Sequence, residues 1–153
     1  MSHAQLWLLN HVANPLVRLV LCSPFHVVMS GALLLLTYRG RRSGRRRTIP
    51  VQYAEDGQTI IVVVGAPERK RWWRNLAPGG TVRIRLRGRE LDTSAEVLTS
   101  DRDPQAVAEA LELYFERFPR ARRDAGVRRG SSDPAGLRAE TTGVMLVHLT
   151  LGP

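Results

Sequence analysis

The chain has 153 residues and a mass of 17.1 kDa, and 23 Lys and Arg against 14 Asp and Glu give it a formal net charge of +9. This length suits one domain with a short appendage, and an apolar fraction of 43% is enough for a core, which excludes a wholly disordered chain. The single cysteine excludes a disulfide framework and a cysteine-cluster metal site. A chain this basic is expected to meet nucleic acid, a membrane surface or a phosphorylated small molecule.

The positive charge is concentrated in the middle third of the chain. Residues 39–89 carry a net charge of +11 and residues 90–153 carry −3, whereas residues 1–38 contain one charged residue, Arg18. All but one of the cations are arginine. Because arginine offers planar, bidentate donors to phosphate and carboxylate groups, we look for an anion site in this third.

The first 31 residues predict two or three short helices. Asn14-Pro15 and Ser23-Pro24 each combine an N-cap residue with proline at the first helical position, and Gly31 is a helix stop. Residues 19–38 are uncharged and reach the length of a membrane span, but the proline and glycine interrupt them. We therefore expect a short helix followed by a strand, with a helix resting on a membrane surface as the alternative to packing on the domain.

From residue 33 onward the pattern predicts strands. Asp56-Gly57 marks a hairpin turn between an Ile49–Tyr53 strand and a Thr59–Val64 strand. Further apolar or alternating runs predict the other four strands, over residues 33–38, 81–87, 90–97 and 144–151.

Two of these strands alternate in a way that predicts charge pairing. Val82, Ile84 and Leu86 share one face, and the intervening residues are arginines. In the partner strand Leu91, Ala95 and Val97 share one face, and the other face carries Glu90, Asp92, Ser94 and Glu96. If these strands pair, the row of arginines lies opposite the row of acids.

The rear of the chain predicts one strong helix. Asp103-Pro104 starts it, and its inward residues are Val107, Leu111, Tyr114, Phe115 and Phe118. Residues 120–142 are polar and predict a loop excursion with a partial helix. The fold class predicted from the residues is mainly β (α+β): a six-stranded, mainly antiparallel barrel with N-terminal helices and helices packed on the barrel.

The first motif that can carry chemistry is the Arg-rich turn over residues 39–50. Gly40 and Gly44 allow backbone N–H groups to converge into an anion-binding nest, and Ser43, Thr48 and the arginines add donors. A solvated basic turn and a nonspecific contact with nucleic acid are the alternatives.

The second motif covers residues 65–76. It follows a buried strand and predicts a helix that opens at Pro67, whose free N–H groups would form another anion site. Trp72 and Trp73 lie about 100° apart on such a helix, so one can pack inward while the other faces a groove. Interleaved Trp and Arg would also suit stacking on single-stranded bases, although one core Trp with solvated cations explains the same residues.

Together the two motifs resemble the deazaflavin-dependent nitroreductase family, whose members have a split β-barrel flavin-binding fold and use coenzyme F-420. The matching residues, all within positions 32–98, are Leu33–Thr37, Gly40-Arg41-Arg42-Ser43-Gly44, Arg47, Pro50 and Trp72-Trp73-Arg74-Asn75-Leu76. The resemblance implies an N-terminal helical segment over residues 1–31 and a split β-barrel cofactor-binding domain over residues 32–153.

The resemblance also implies which residues bind the cofactor. Arg42, Ser43, Gly44 and Arg47, assisted by Arg41, would hold its phosphate and acidic tail. The residues expected to border the deazaflavin ring or its wall are Pro50, Val51, Gln52, Val64, Gly65, Ala66, Trp73 and Asn75. We assign no catalytic residue and expect no metal. Tyr38, Tyr53, Tyr114 and His148 are candidate proton donors, and His148, in mid-strand, is more consistent with a structural role.

The leading hypothesis is an oxidoreductase that transfers a hydride from reduced F-420 to an electron-poor, quinone-like or nitro small molecule, with FMN as the less favoured cofactor. The alternative is a nonenzymatic basic barrel that holds another flavin, haem, lipid or nucleic acid. Nucleic acid is disfavoured because the paired tryptophans lie on a helix, whereas single-strand binders usually display aromatic residues on strands. We expect a cytoplasmic monomer or homodimer, with the inner face of the membrane as the alternative location.

Overall fold

The computed structural model describes residues 31–65, 67–124 and 144–152, together with Leu19 and Cys22. The predicted N-terminal helices and most of the predicted 120–142 excursion lie outside the described residues. Within the described part, no helix has the length and apolar character needed to cross a bilayer.

Seven strands and two helices make up the regular structure of the described residues. The strands are β1 (Leu33–Arg39), β2 (Arg46–Gln52), β3 (Ala54–Asp56), β4 (Thr59–Val63), β5 (Gly80–Leu86), β6 (Arg89–Thr99) and β7 (Met145–Leu151). The helices are α1 (Pro104–Arg117) and α2 (Pro119–Asp124), and a short 3-10 helix covers Trp72–Asn75. The sheet order is β2-β1-β5-β6-β7-β4-β3. The mainly β prediction is confirmed, with seven strands where six were expected.

The extra strand arises because the predicted Ile49–Tyr53 strand does not pair as expected. Its residues up to Gln52 belong to β2, which pairs antiparallel with β1 from Leu33↔Gln52 to Arg39↔Arg46. The hairpin partner of β4 is instead the short β3, with Asp56↔Thr59 closing the hairpin. The Asp-Gly turn is confirmed in place, because Gly57 has the positive φ of 58° that such a tight turn requires.

The described residues form two compact units. The first comprises residues 31–52 and 81–93, and it contains β1, β2, β5 from residue 81 onward and the first part of β6. Its buried hydrophobic residues come from β1, β2 and β5, and they are Leu34, Leu35, Leu36, Tyr38, Val51, Val82, Ile84 and Leu86. β1 is buried on both faces at Leu34–Leu36, which explains why its sequence is a continuous apolar run and not an alternating one.

The second unit comprises residues 53–65, 67–80, 94–124 and 144–152. Its hydrophobic cluster consists of α1 side chains packed on strand residues, and the members are Ala54, Ile61, Leu98, Val107, Ala110, Leu111, Tyr114, Phe115 and Leu146. The predicted helix from Asp103-Pro104 is therefore confirmed, including most of its inward face. Pairing of β4 with β7 places Ile61 beside His148 and Val62 beside Val147.

The predicted charge pairing between β5 and β6 is confirmed at one position. Arg83 Nε donates to Asp92 Oδ1 at 2.9 Å, and Arg83 Nη2 donates to Asp92 Oδ2 at 3.3 Å. This contact lowers the pKa of Asp92 and raises the pKa of Arg83. Arg85 differs, because its Nε is buried without a hydrogen-bond partner among the described residues. Leu91 was expected on the inward face of β6 but is exposed.

Candidate functional site

The Arg-rich turn of the first unit closes the β1–β2 hairpin, and we call this turn, together with the first two residues of β2, the basic loop (residues 40–47). Gly40 N donates to the Arg45 carbonyl at 2.9 Å, and Gly44 N donates to the Gly40 carbonyl at 2.8 Å. Gly44 has a φ of +63°, a conformation that favours glycine. A Cβ atom at Gly40 would lie 2.6 Å from Ser43 Oγ, so the loop packs tightly on itself.

The backbone of the basic loop offers less to an anion than the sequence predicts. The N–H groups of Gly40 and Gly44 are used to close the hairpin, and the Arg45 N–H donates to Ser43 Oγ at 3.3 Å. In the described part of the chain, the N–H groups of Arg42 and Ser43 make no hydrogen bond. The loop therefore resembles a tied hairpin with two spare N–H donors more than a full nest, and its capacity for anions rests mainly on side chains.

The arginine side chains of this region are directed to solvent. Every residue from Arg41 to Arg47 is exposed. Within the residues that the structure describes, Arg42, Arg45 and Arg47 form no salt bridge. Arg39 Nη1 lies 3.4 Å from the Gly44 carbonyl and so braces the loop. Uncompensated, exposed guanidinium groups are suited to binding phosphate or carboxylate oxygens.

The β1–β2 register adds a residue that sequence reasoning named only as a candidate proton donor. Tyr38 lies directly opposite Arg47, and it is 6% exposed. Burial raises the pKa of Tyr38, while the positive charge of Arg47 acts in the opposite direction. The hairpin register implied by a tight 40–45 turn is the signal that would have revealed this pair.

The strand β2 divides the predicted ring-bordering residues between its two faces. Successive residues of a strand point to opposite faces, so Arg47 and Val51 share one face, and Pro50 and Gln52 share the other. Val51 is buried with the core of the first unit, whereas Gln52 is exposed. The first unit thus does not bring Pro50, Val51 and Gln52 to a single surface.

The second motif does not form the predicted helix. Residues 67–69 are turns, and the helical part is limited to the 3-10 segment Trp72–Asn75. In an α-helix that opens at Pro67, the Pro67 carbonyl would accept from the Arg71 N–H. It accepts instead from the indole Nε1 of Trp73 at 3.0 Å, which ties the segment into a loop. The expectation of a helix N-terminal anion site at Pro67 is therefore wrong.

Other donors of this segment are also used locally. Asn75 Nδ2 donates to the Trp72 carbonyl at 3.0 Å, and the guanidinium of Arg74 lies 5.4 Å from the centroid of the Trp73 ring. Leu76 is buried, whereas both tryptophans are half-buried. The expectation that one Trp is core and the other faces a groove is therefore not met by burial.

The segment before this loop has an open backbone. Val64 is buried, Gly65 is exposed, and Ala66 lies outside the described residues. A Cβ atom built at Gly65 would meet a single neighbour within 4.0 Å, the Nζ of Lys70. Nothing in the described part of the chain therefore requires glycine at this position.

The remaining proton-donor candidates are distributed over the second unit. Burial raises the pKa of Tyr114 to about 12, so its phenol stays protonated at ordinary pH. Burial lowers the pKa of His148, and Glu96 acts against that shift. His148 Nε2 is buried without a hydrogen-bond partner among the described residues, which suits a packed strand residue. Those residues contain no group of three or more His, Cys, Asp or Glu side chains that could hold a metal ion.

Comparison with known proteins decides the family. The model of the F420H(2)-dependent quinone reductase family matches residues 23–117, which include the basic loop and the Trp-containing loop. The chain belongs to this family. The Mycobacterium tuberculosis (strain ATCC 25618 / H37Rv) protein Rv3178, which carries the name of an F420H(2)-dependent quinone reductase, is 31% identical over 86 residues. That match covers 54% of this chain and 72% of the relative.

Solved structures agree at the level of the fold. An F420-H2 dependent reductase (FDR-A) has a TM-score of 0.55 and 19% identity, over 77% of this chain and 93% of that one. A structure described as a domain-swapped dimer has a TM-score of 0.56 and 18% identity, over 95% of this chain and 98% of that one.

Family membership confirms the main functional expectations from the sequence. The chain is an oxidoreductase of an F-420-dependent family, and its cofactor is F-420. This outcome excludes the alternative of a nonenzymatic basic barrel.

Proposed function

We propose that this chain binds reduced coenzyme F-420 through the basic loop and transfers its hydride to a quinone-like or nitro small molecule. Family membership supports the cofactor and the reaction class. The observation that carries the assignment to the loop is the set of exposed arginines without salt bridges among the described residues, Arg42 and Arg47 foremost.

The donor chemistry of the loop fits the phosphate and acidic tail of this cofactor. Arg42 and Arg47 supply guanidinium donors, and Arg42 and Ser43 also supply N–H groups that the hairpin does not use. Charge-assisted hydrogen bonds to anionic oxygens are roughly twice as strong as neutral ones. Arg41 contributes its positive charge. Gly44 contributes to the shape of the loop, because its N–H donates to the Gly40 carbonyl.

The protein has a limited chemical task in such a reaction. When bound, the reduced deazaflavin supplies the hydride. The residues of this chain bind the anionic part, orient the ring and limit access of water, which lowers the barrier by fixing the reactants in position. We assign no side chain to proton transfer.

For the second unit we propose that the backbone at Val64-Gly65 borders the ring, as the family resemblance implies. The support is the space beside Gly65, where a Cβ atom would meet no atom beyond its chain neighbours closer than 4.0 Å. The variant Gly65→Val is therefore expected to fold normally and to lose affinity for F-420 by steric exclusion. Unchanged affinity in a folded Gly65→Val protein would remove this segment from the site. Gly57→Val is the comparison variant, and it should lower stability because Gly57 has a φ of +58°.

We further propose the split β-barrel form of the fold, a cytoplasmic location and a homodimeric or monomeric state. The similarity to the F420-H2 dependent reductase supports the fold, and the domain-swapped dimer among similar structures makes a dimer worth testing. Light scattering distinguishes a dimer from a monomer. Flotation with anionic vesicles tests the alternative of membrane-surface contact through residues 1–31.

The decisive experiment is titration of the purified chain with oxidised F-420, followed by fluorescence, with FMN and FAD as comparison ligands. We expect saturable micromolar or tighter binding of F-420 and weaker binding of FMN and FAD. Reduced F-420 should then be oxidised when a benzoquinone or nitroaromatic compound is added. Binding of FMN or FAD with no binding of F-420 would overturn the proposal.

A further inference from the structure

The pair formed by Tyr38 and Arg47 is a feature of the first unit that the family comparison does not assign. The two residues face each other in the antiparallel β1–β2 ladder. Directly opposite residues on one face of such a pair have Cβ atoms about 4.5–5.5 Å apart, so their side chains are neighbours. Arg47 is exposed, and the Tyr38 ring is almost completely buried beside it.

Burial fixes the ring and leaves the hydroxyl with capacity to spare. A buried aromatic ring has few accessible rotamers, so the position of its hydroxyl is set before any ligand binds. Among the described residues, the Tyr38 hydroxyl oxygen is not one of the buried polar atoms that lack a hydrogen-bond partner. The Tyr38 hydroxyl makes no hydrogen bond within the described part of the chain, and together these facts leave its oxygen in contact with solvent.

The charge of Arg47 determines how this hydroxyl can act. A guanidinium group has donors and no acceptor, so it attracts the lone pairs of the phenol oxygen and repels the phenol proton. The phenol proton then points away from the cation, so the hydroxyl is free to donate to an oxyanion that contacts both side chains. A phenol with its ordinary pKa of about 10 keeps its proton at physiological pH. Burial raises the pKa of Tyr38 further, so its hydroxyl remains a donor beside the cation.

We propose that Tyr38 is a specificity-determining residue of the anion site, whose hydroxyl donates a hydrogen bond to the same phosphate or carboxylate group that Arg47 binds. This inference rests on the proposed function of the basic loop. The Tyr38 hydroxyl would be a neutral donor beside the cationic donor Arg47. Together the two donors favour a ligand group that carries an oxyanion over a neutral group.

The test is a double-mutant cycle with Tyr38→Phe and Arg47→Ala, in which dissociation constants are measured for two probes. One probe is oxidised F-420, and the other is the deazaflavin riboside that lacks the phosphate and acidic tail. Phenylalanine keeps the ring and its packing, so circular dichroism and thermal melting should show an intact fold. Tyr114→Phe, which removes the hydroxyl of an equally buried tyrosine in the second unit, is the matched control.

We expect Tyr38→Phe to weaken F-420 binding roughly tenfold, as one hydrogen bond to a charged group would. The affinity for the tail-less riboside should not change, and Tyr38→Phe should add little once Arg47 is already alanine. Equal weakening of both probes, or full additivity with Arg47→Ala, would overturn the inference.

The two levels of the proposal fail in different ways. If Arg47→Ala weakens F-420 binding and Tyr38→Phe does not, the function of the loop stands and the role of Tyr38 is wrong. If neither variant changes F-420 binding although wild type binds it, the basic loop itself is not the anion site.

Discussion

The two units use their polar donors in opposite ways. In the first unit, the basic loop closes with a few backbone hydrogen bonds and directs its arginines to solvent, where Arg42 and Arg47 form no salt bridge among the described residues. In the second unit, the loop over residues 67–76 uses donors on itself: the Trp73 indole on the Pro67 carbonyl and the Asn75 amide on the Trp72 carbonyl.

This difference separates two segments that look alike in sequence. Both are basic, both contain Gly or Pro, and both suit an anion by composition. A donor that is already used in a protein hydrogen bond gains little from a ligand, whereas a solvated one can exchange water for an anion. We therefore expect substitutions in the basic loop to change binding and substitutions of the donors in the second loop to change stability.

The largest expected effect is on binding, from Arg42→Ala combined with Arg47→Ala. Each lost charge-assisted hydrogen bond is worth about 1.5–3 kcal/mol, so the affinity for F-420 should fall about 100-fold or more. The melting temperature should stay unchanged, because both side chains are exposed. Fluorescence titration and thermal melting measure the two quantities.

Its matched control is Arg69→Ala with Arg102→Ala, which removes the same charge from exposed positions of the second unit. If this control weakens binding as strongly as the loop variant, general electrostatic attraction explains the effect and the contrast between the units fails. The F-420 affinity of both double variants should be measured at two salt concentrations to distinguish direct contact from long-range attraction. Long-range attraction between exposed charges is screened within about 10 Å at 0.1 M ionic strength.

The second effect is on the stability of the second unit, from Trp73→Phe. This change removes the indole N–H that binds the Pro67 carbonyl, and a typical net loss is about 1 kcal/mol in the free energy of unfolding. Trp72→Phe is the comparison, because its indole makes no hydrogen bond in the part of the chain that the structure describes. Equal losses in both variants, measured by urea denaturation, would show that ring size and not the hydrogen bond matters.

The third effect tests two threonine hydroxyls within the first unit, one buried and one half-buried. Thr93 is 2% exposed, and its Oγ1 has no partner among the described residues. Thr93→Val should therefore stabilise the chain by about 1 kcal/mol or leave it unchanged, since an unsatisfied buried hydroxyl is unfavourable. Thr37→Val should be destabilising by a similar amount, because Thr37 Oγ1 lies 2.9 Å from Thr48 Oγ1. Destabilisation by Thr93→Val would indicate that its hydroxyl has a partner in solution.

The smallest effect is the pH dependence contributed by His148 in the second unit. Its pKa in the folded chain is lowered by burial, so the unfolded chain binds the proton more readily. The stability that the neutral ring contributes is complete above the unfolded pKa of about 6.5 and is lost as the pH falls toward the folded value. His148→Gln should flatten the unfolding free energy between pH 7 and 5 relative to wild type, and an unchanged slope would contradict the burial argument.

Much of the fold followed from patterns with a local cause. The alternation in β5, the Asp-Gly turn and the Asp103-Pro104 helix start were each predicted, because side-chain period and backbone preference are properties of a few adjacent residues. The break at Tyr53 was missed, since the choice of pairing partner depends on distant strands. The helix at Pro67 was also predicted wrongly. The Pro67 carbonyl accepts a hydrogen bond from the Trp73 indole, whereas a helix would need that carbonyl as a backbone acceptor.

By itself the sequence determined the mainly β class, the family and the region in which the cations are concentrated. These follow from composition, periodicity and motif spacing, which are properties of the linear sequence and do not depend on how the chain folds. Only the tertiary structure decided which donors stay available to a ligand. That depends on which partner each N–H, hydroxyl or guanidinium finds, and the partner is chosen by strand register and packing. The excess of +9 is therefore a statement about composition, and the alignment of Tyr38 with Arg47 is a result of the fold.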